Sequence, residues 1–221
     1  MRGVLAAAAL TLLVACGGGP PGPTPAATST TARQPTTAAA ALALLDGSRM
    51  RDGHCDQTGT SASANSNGTV VGFCVISRSG STFSLEQKYS VTVTVSGRTV
   101  TAYADSIQIG GDTYYSYGPN PTGGTYTRGT VTPPPGWSEL FFAGASFSNL
   151  QPETLNGTAV WVVDATTPLA GGVTKTGKLF IRAGDGYLMV VELNTGAGAT
   201  MLHTKLAFTR WDGGETVSAP H

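Results

Sequence analysis

Turn signals recur along this chain at intervals that leave room for a strand and little else. Asn67-Gly68, Ser79-Gly80, Ser96-Gly97, Gly110-Gly111-Asp112, Gly184-Asp185-Gly186 and Asp212-Gly213-Gly214 separate runs rich in Val, Thr, Ile and Tyr. That is the pattern of successive antiparallel strands joined by hairpins. Between two of these signals Ser90-Val91-Thr92-Val93-Thr94-Val95 alternates throughout, which gives a strand one apolar and one wet face. The reading predicts strands near residues 55–64, 69–78, 82–95, 98–109, 113–117, 158–165, 175–183, 186–194, 200–211 and 215–218.

Two segments break the ladder. Ala38 to Met50 is rich in Ala and Leu, a helix-forming composition. Leu42, Leu45 and Arg49 share one face of it, and Asp52-Gly53 supplies a C-terminal stop. The second interruption runs from Gly118 to Asn156. It holds Pro133-Pro134-Pro135-Gly136-Trp137, and then an apolar stretch with Leu140, Phe141, Phe142 and Phe147 that Ser138 is placed to cap as a short helix. An interruption of this length in a hairpin ladder serves as a lid or as a packing flap. A meander must hide its apolar face, and one helix and one central segment cover it only in part. The expected fold is mainly β with helices (α+β). It is a strongly curved antiparallel half-barrel sheet of about ten strands, with the N-terminal helix and a central lid segment on its concave face.

The first residues describe export. Met1-Arg2 is a short positive start, and Val4 to Leu13 is an uncharged apolar run, too short for the roughly 20 residues a membrane-spanning helix needs. Leu13-Val14-Ala15-Cys16 then resembles the lipobox of bacterial lipoproteins, in which the Cys thiol receives a diacylglycerol and becomes the mature N-terminus. The predicted organisation is a signal peptide over 1–15, a lipidated Cys16 leading a Gly/Pro/Thr-rich tether over 16–37, and one domain over 38–221. A segment without large apolar side chains cannot bury enough surface to order itself, so the tether holds the domain off the membrane. The expected place is the bacterial cell envelope, on the outer side of the cytoplasmic membrane or in the outer membrane. Gly17 leaves that choice open.

The sequence has three Cys. Lipidation of Cys16 leaves Cys55 and Cys74, which in an oxidising compartment form a disulfide. With the turn at Asn65-Ser66-Asn67-Gly68, ideal pairing sets Cys74 opposite Gly59, so the bridge would need a bulge or a bend at Cys55.

The order of parts resembles the LolA-like half-barrel lipoproteins, which include the LppX/LprG-type lipid-carrying lipoproteins. The resemblance rests on the helix leading into paired strands and on the turn Gly110 to Tyr115, similar to an Asp-Gly-x-x-Tyr hairpin, with Trp137 after the following loop. It rests further on Glu153 to Val163, on the hairpin Lys178 to Leu193 and on the closing Leu206 to Pro220. The central helical segment is short for that family, and a Cys55–Cys74 pair is not general in it. The resemblance implies a carrier of lipids or lipid-linked molecules with no catalytic residues. Alternation then places Tyr89, Val91, Val93 and Val95 along a ligand cavity. Leu202, Leu206 and Phe208 share one side of another strand, and Leu42, Leu45, Leu140 and Phe141 lie above.

Chemistry of other kinds has little support. The three His, His54, His203 and His221, are scattered without zinc spacing. Gly144-Ala145-Ser146-Phe147-Ser148 fails as a nucleophile elbow at its last position, and Asp105, Asp112, Asp164 and Asp185 fall mostly at turns. No cofactor and no metal are expected. Net charge is zero and charged residues make up 12% of the chain, which disfavours nucleic acid as a partner. Three functions follow in order: a lipid or glycolipid carrier anchored through Cys16; a non-catalytic envelope sensor or scaffold of the same fold with a closed core; and, last, a cell-envelope hydrolase.

Overall fold

The computed structural model describes residues 34–220 apart from Asn65, Thr122, Gly123, Gly198 and Ala199. Helix α1 (Ala38–Asp46) begins at Thr37, whose Oγ1 accepts the Ala40 amide at 3.2 Å, and ends at Gly47, whose N–H returns to the Ala43 carbonyl. The helix therefore stops short of Met50. Asp46-Gly47 is the stop, and Asp52-Gly53 begins the first strand.

Among the described residues eleven strands form one antiparallel sheet. They are β1 (Asp52–Ser63), β2 (Ser66–Ser79), β3 (Thr82–Val95), β4 (Arg98–Ile109), β5 (Asp112–Gly118), β6 (Thr127–Thr130), β7 (Ser146–Leu155), β8 (Thr158–Pro168), β9 (Thr174–Arg182), β10 (Leu188–Ala197) and β11 (Thr200–Trp211). The order across the sheet is β6-β5-β4-β3-β2-β1-β11-β10-β9-β8-β7. Two hairpin meanders thus meet at a central seam where β1 pairs with β11.

The sheet is neither closed nor strongly curled, which corrects the expected strong curvature of a half-barrel. Its ladders give the reason. Register shifts occur at His54/Cys55, at Ser148/Leu150 and at Leu188/Val190, while β2 through β6 pair without one. Bulges are the device that bends a sheet sharply, and half of this sheet lacks them.

Three further expectations change. The β1–β2 turn lies between Ser63 and Ser66, so Asn67-Gly68 sits inside β2. That shift sets Cys55 directly opposite Cys74, and the two form a disulfide with Cα atoms 5.0 Å apart. Residues 215–218 are not a strand, whereas β6 and β7 are two edge strands not anticipated. Both are largely exposed, and β7 carries Pro152 at an edge, where a missing N–H leaves no broken ladder bond.

Helix α2 (Trp137–Phe141) replaces the anticipated lid with a short plug. Trp137 and Phe142 are fully buried. The Asp46 carboxylate, at the end of α1, accepts the Trp137 amide at 2.9 Å and so caps α2 from outside. A side chain at Gly136 would strike that carboxylate, which fixes the small residue there.

Candidate functional site

The inner face of the sheet, on which both helices lie, divides into two halves. Over one half α1 and α2 seal a core in which Leu45, Trp137, Leu140 and Phe142 meet Ile76 and Phe83 on one side of the seam. On the other side they meet Val163, Leu179, Ile181 and Val191. The Phe83 and Trp137 rings meet edge to face at 4.9 Å, and Phe141 meets Phe208 likewise at 6.3 Å. Further along the same strands the helices end. A half-open hollow of about 700 Å³ lies across the seam. Val70, Gln87, Tyr89 and Val91 form one wall, Lys175, Leu193, Leu202 and Thr204 the other.

Three glycines lie on the same face. Gly59, Gly72 and Gly177 fall on the inner-face parity of β1, β2 and β9, opposite Thr204, Tyr89 and Leu193. A Cβ at Gly72 would lie 2.1 Å from the Lys88 carbonyl oxygen, and one at Gly177 would lie 2.6 Å from the Phe142 ring. Strand side chains alternate faces, so no side chain rises from these three positions, and at Gly177 the Phe142 ring of the sealed core takes that place. The outer face is polar on β3 and β4, where Thr92 bonds Thr101 and Thr94 bonds Thr99, each at 3.0 Å. Across β8 to β11 it carries the register row Asp164, Lys178, Glu192, Lys205, alternating in sign.

Of the residues expected to line a cavity, Tyr89, Val91 and Leu202 do so. Val93 lies further along that face, half-buried against the backbone at Gly68, and Val95 is 46% exposed. Leu45, Leu140, Phe141, Leu206 and Phe208 belong to the sealed core, with Leu42 packed at its margin. The helices therefore do not roof Tyr89 to Val95, contrary to expectation. Helix α1 ends at Asp46 and α2 has five residues, too short to reach the far ends of strands twelve to fourteen residues long.

Sequence reasoning missed Lys175. Its Nζ donates to the Phe141 carbonyl at 2.5 Å and sits 5.4 Å from the centre of the Phe142 ring. Burial holds this ammonium below the ordinary lysine range, because a low-dielectric site disfavours the charged form. The parity of Lys175 with Leu179 and Ile181 was the available signal. Polar groups share the hollow: Gln87 Nε2 reaches Gln57 Oε1 at 3.5 Å, and Thr204 is buried. Burial raises the Tyr89 phenol, with Tyr115 and Tyr117 nearby adding to the effect.

Two other hollows differ in character. On the outer face one of about 540 Å³ holds Asp105, Lys88, Tyr103 and Tyr126. There Tyr126 donates to Asp105, and burial together with that bond pushes the phenol up to about 12. Lys88 is held between Glu86 at 2.5 Å and Asp105 at 3.7 Å. The other, about 630 Å³, lies beside Arg49, Arg51 and Arg78. Among the described residues no three His, Cys, Asp or Glu side chains gather as a metal site, and no helix is long and apolar enough to cross a membrane. Cys16, the expected lipid attachment point, lies outside the described residues. No protein-family model matches this sequence, and comparison with curated proteins finds no match.

Proposed function

We propose that this protein is an exported lipoprotein that binds or carries a lipid or lipid-linked molecule in the open hollow of its inner face. The observation that carries the reading is that hollow, about 700 Å³ and walled by Val70, Val91, Leu193 and Leu202. Sites for small apolar ligands span about 300–1,000 Å³, and each buried methylene contributes about 0.8 kcal/mol. The Cys55–Cys74 disulfide supports an extracytoplasmic setting. The lipobox at Cys16 and the tether to residue 37 supply the anchoring, and the order of parts supports kinship with LolA-like lipoproteins. On this reading the protein is not an enzyme, and the membrane is its first partner. The test is organic extraction of the purified full chain followed by mass spectrometry. Wild type is expected to release lipid and Val91→Trp markedly less; a wild type free of lipid that also fails to take up added lipid would sink the reading.

A further inference from the structure

We infer that the ligand is a long-chain carboxylate whose head group ion-pairs with Lys175 Nζ while its chain lies along Val70, Val91, Leu193 and Leu202. This rests on the lipid-binding reading and adds the class of ligand to it.

Lys175 is the one charged side chain among the described residues that line the hollow. No carboxylate of the described residues forms an ion pair with it. An ammonium carries three donors, and the Phe141 carbonyl takes one. The remaining donors have no protein partner among the described residues. Lys175 is half-buried, and a charge drawn partly out of water is ordinarily paired, because leaving it unpaired forfeits solvation without return. An anion entering the hollow supplies the missing partner.

The rest of the lining narrows the anion. The neutral hydrogen-bonding groups of the lining are the Gln57 and Gln87 amides and the Ser61, Tyr89, Thr195 and Thr204 hydroxyls, and among the described residues it has no arginine and no second lysine. One ammonium balances a monoanion such as a carboxylate and leaves the dianion of a phosphate monoester half compensated. A cationic head would be repelled, and an uncharged one would leave the ammonium unpaired. Lys175 shares a register row with Thr195, Leu202 and Ser61, and the aliphatic Leu193, Val70 and Val91 lie one row nearer the sealed core. The head group therefore sits at the Lys175 Nζ, beside Phe141 and Phe142, and the chain crosses the seam over Leu193, Leu202, Val70 and Val91.

The experiment titrates the full chain with a polyene fatty acid that fluoresces on burial, with the alcohol of the same chain, and with the corresponding alkyl phosphate. Wild type is expected to prefer the acid to the alcohol by at least about tenfold, Lys175→Met to abolish that preference while still binding the alcohol, and Lys175→Arg to retain it. Wild type needs no variant for a further check: affinity for the acid should fall on raising pH through deprotonation of Lys175, with the alcohol unaffected. Equal binding of acid and alcohol by wild type overturns the inference and leaves lipid binding intact. A preference for the phosphate, or its loss in Lys175→Arg as in Lys175→Met, overturns it too. Failure of every probe overturns both readings.

Discussion

The two halves of the inner face share their strands and their alternation, yet one half is sealed and the other open. In the sealed half most inward positions carry a large side chain, with the Cys55–Cys74 bridge and Ala165 among them, and Leu45, Trp137 and Phe142 interlock with these from above. In the open half the lining mixes Val70, Val91, Leu193 and Leu202 with Tyr89 and polar groups, and no helix side chain lies over it. Alternation thus fixes which face turns inward and not whether anything fills it. Stability resides in the first half, and the second is free to hold something else.

Removing the keystone of the sealed half breaks the comparison hardest. Trp137→Ala empties a fully buried site between Phe83 and the helices and is expected to cost about 3–5 kcal/mol in chemical denaturation. Next comes the disulfide, whose half-cystines are both buried in the sealed core. Cys55→Ala with Cys74→Ala releases a loop with a sequence separation of 19 and should lose about 2–4 kcal/mol, with the fold kept because the core is intact. Peptide mapping under non-reducing conditions checks the bridge itself. The same substitution in both halves then sharpens the contrast. Val163→Trp overpacks a site with no exposure and should lower stability by about 1–3 kcal/mol. Val91→Trp projects into the hollow and should change the denaturation midpoint by less than about 1 kcal/mol while reducing lipid uptake. Equal losses at the two positions would mean that the halves are not different in packing.

The smallest effect is on pH dependence. Lys175 has its folded pKa below the unfolded value of 10.5, so the unfolded chain binds more protons in the window between the two. Stability should therefore rise with pH across that alkaline window and level off above it, with Lys175→Met removing the slope. A fatty acid bound beside the ammonium reverses part of the shift. Its binding at alkaline pH should be accompanied by proton uptake, measurable by titration calorimetry in two buffers of different ionisation heat.

Much of the sheet was legible from residues alone, because turn glycines and alternating valines act locally. Thr82–Val95 and Arg98–Ile109 were bounded to the residue, since Ser96-Gly97 admits little besides a tight hairpin. What failed depended on distance. Asn67-Gly68 has the composition of a turn, yet pairing with β1 and β3 draws it into a strand, with Gly68 buried against the Thr92 carbonyl and the Val93 side chain. β7 is largely exposed, so no periodic apolar stripe announced it. The hollow was legible only in part. Tyr89, Val91 and Leu202 were marked by parity, but where the helices stop is a tertiary fact. Lys175 was hidden by the ordinary expectation that a lysine on a strand faces water.

The seam between β1 and β11 sets the order in which this molecule can be completed. Each meander grows by hairpins between neighbouring segments, but the seam joins distant ones. At its lower end the Arg51 amide donates to Asp212, 161 residues away, and the Asp52 carboxylate accepts from Gly213 and Gly214. Pairings this remote form late, because loop closure precedes any gain from them. A chain that emerges N-terminus first can assemble β1 to β6 early, and that half-sheet must then wait with the edge of β1 bare. An unpaired edge of that length invites the wrong strand, so β1 is the strand most open to mispairing until β11 arrives.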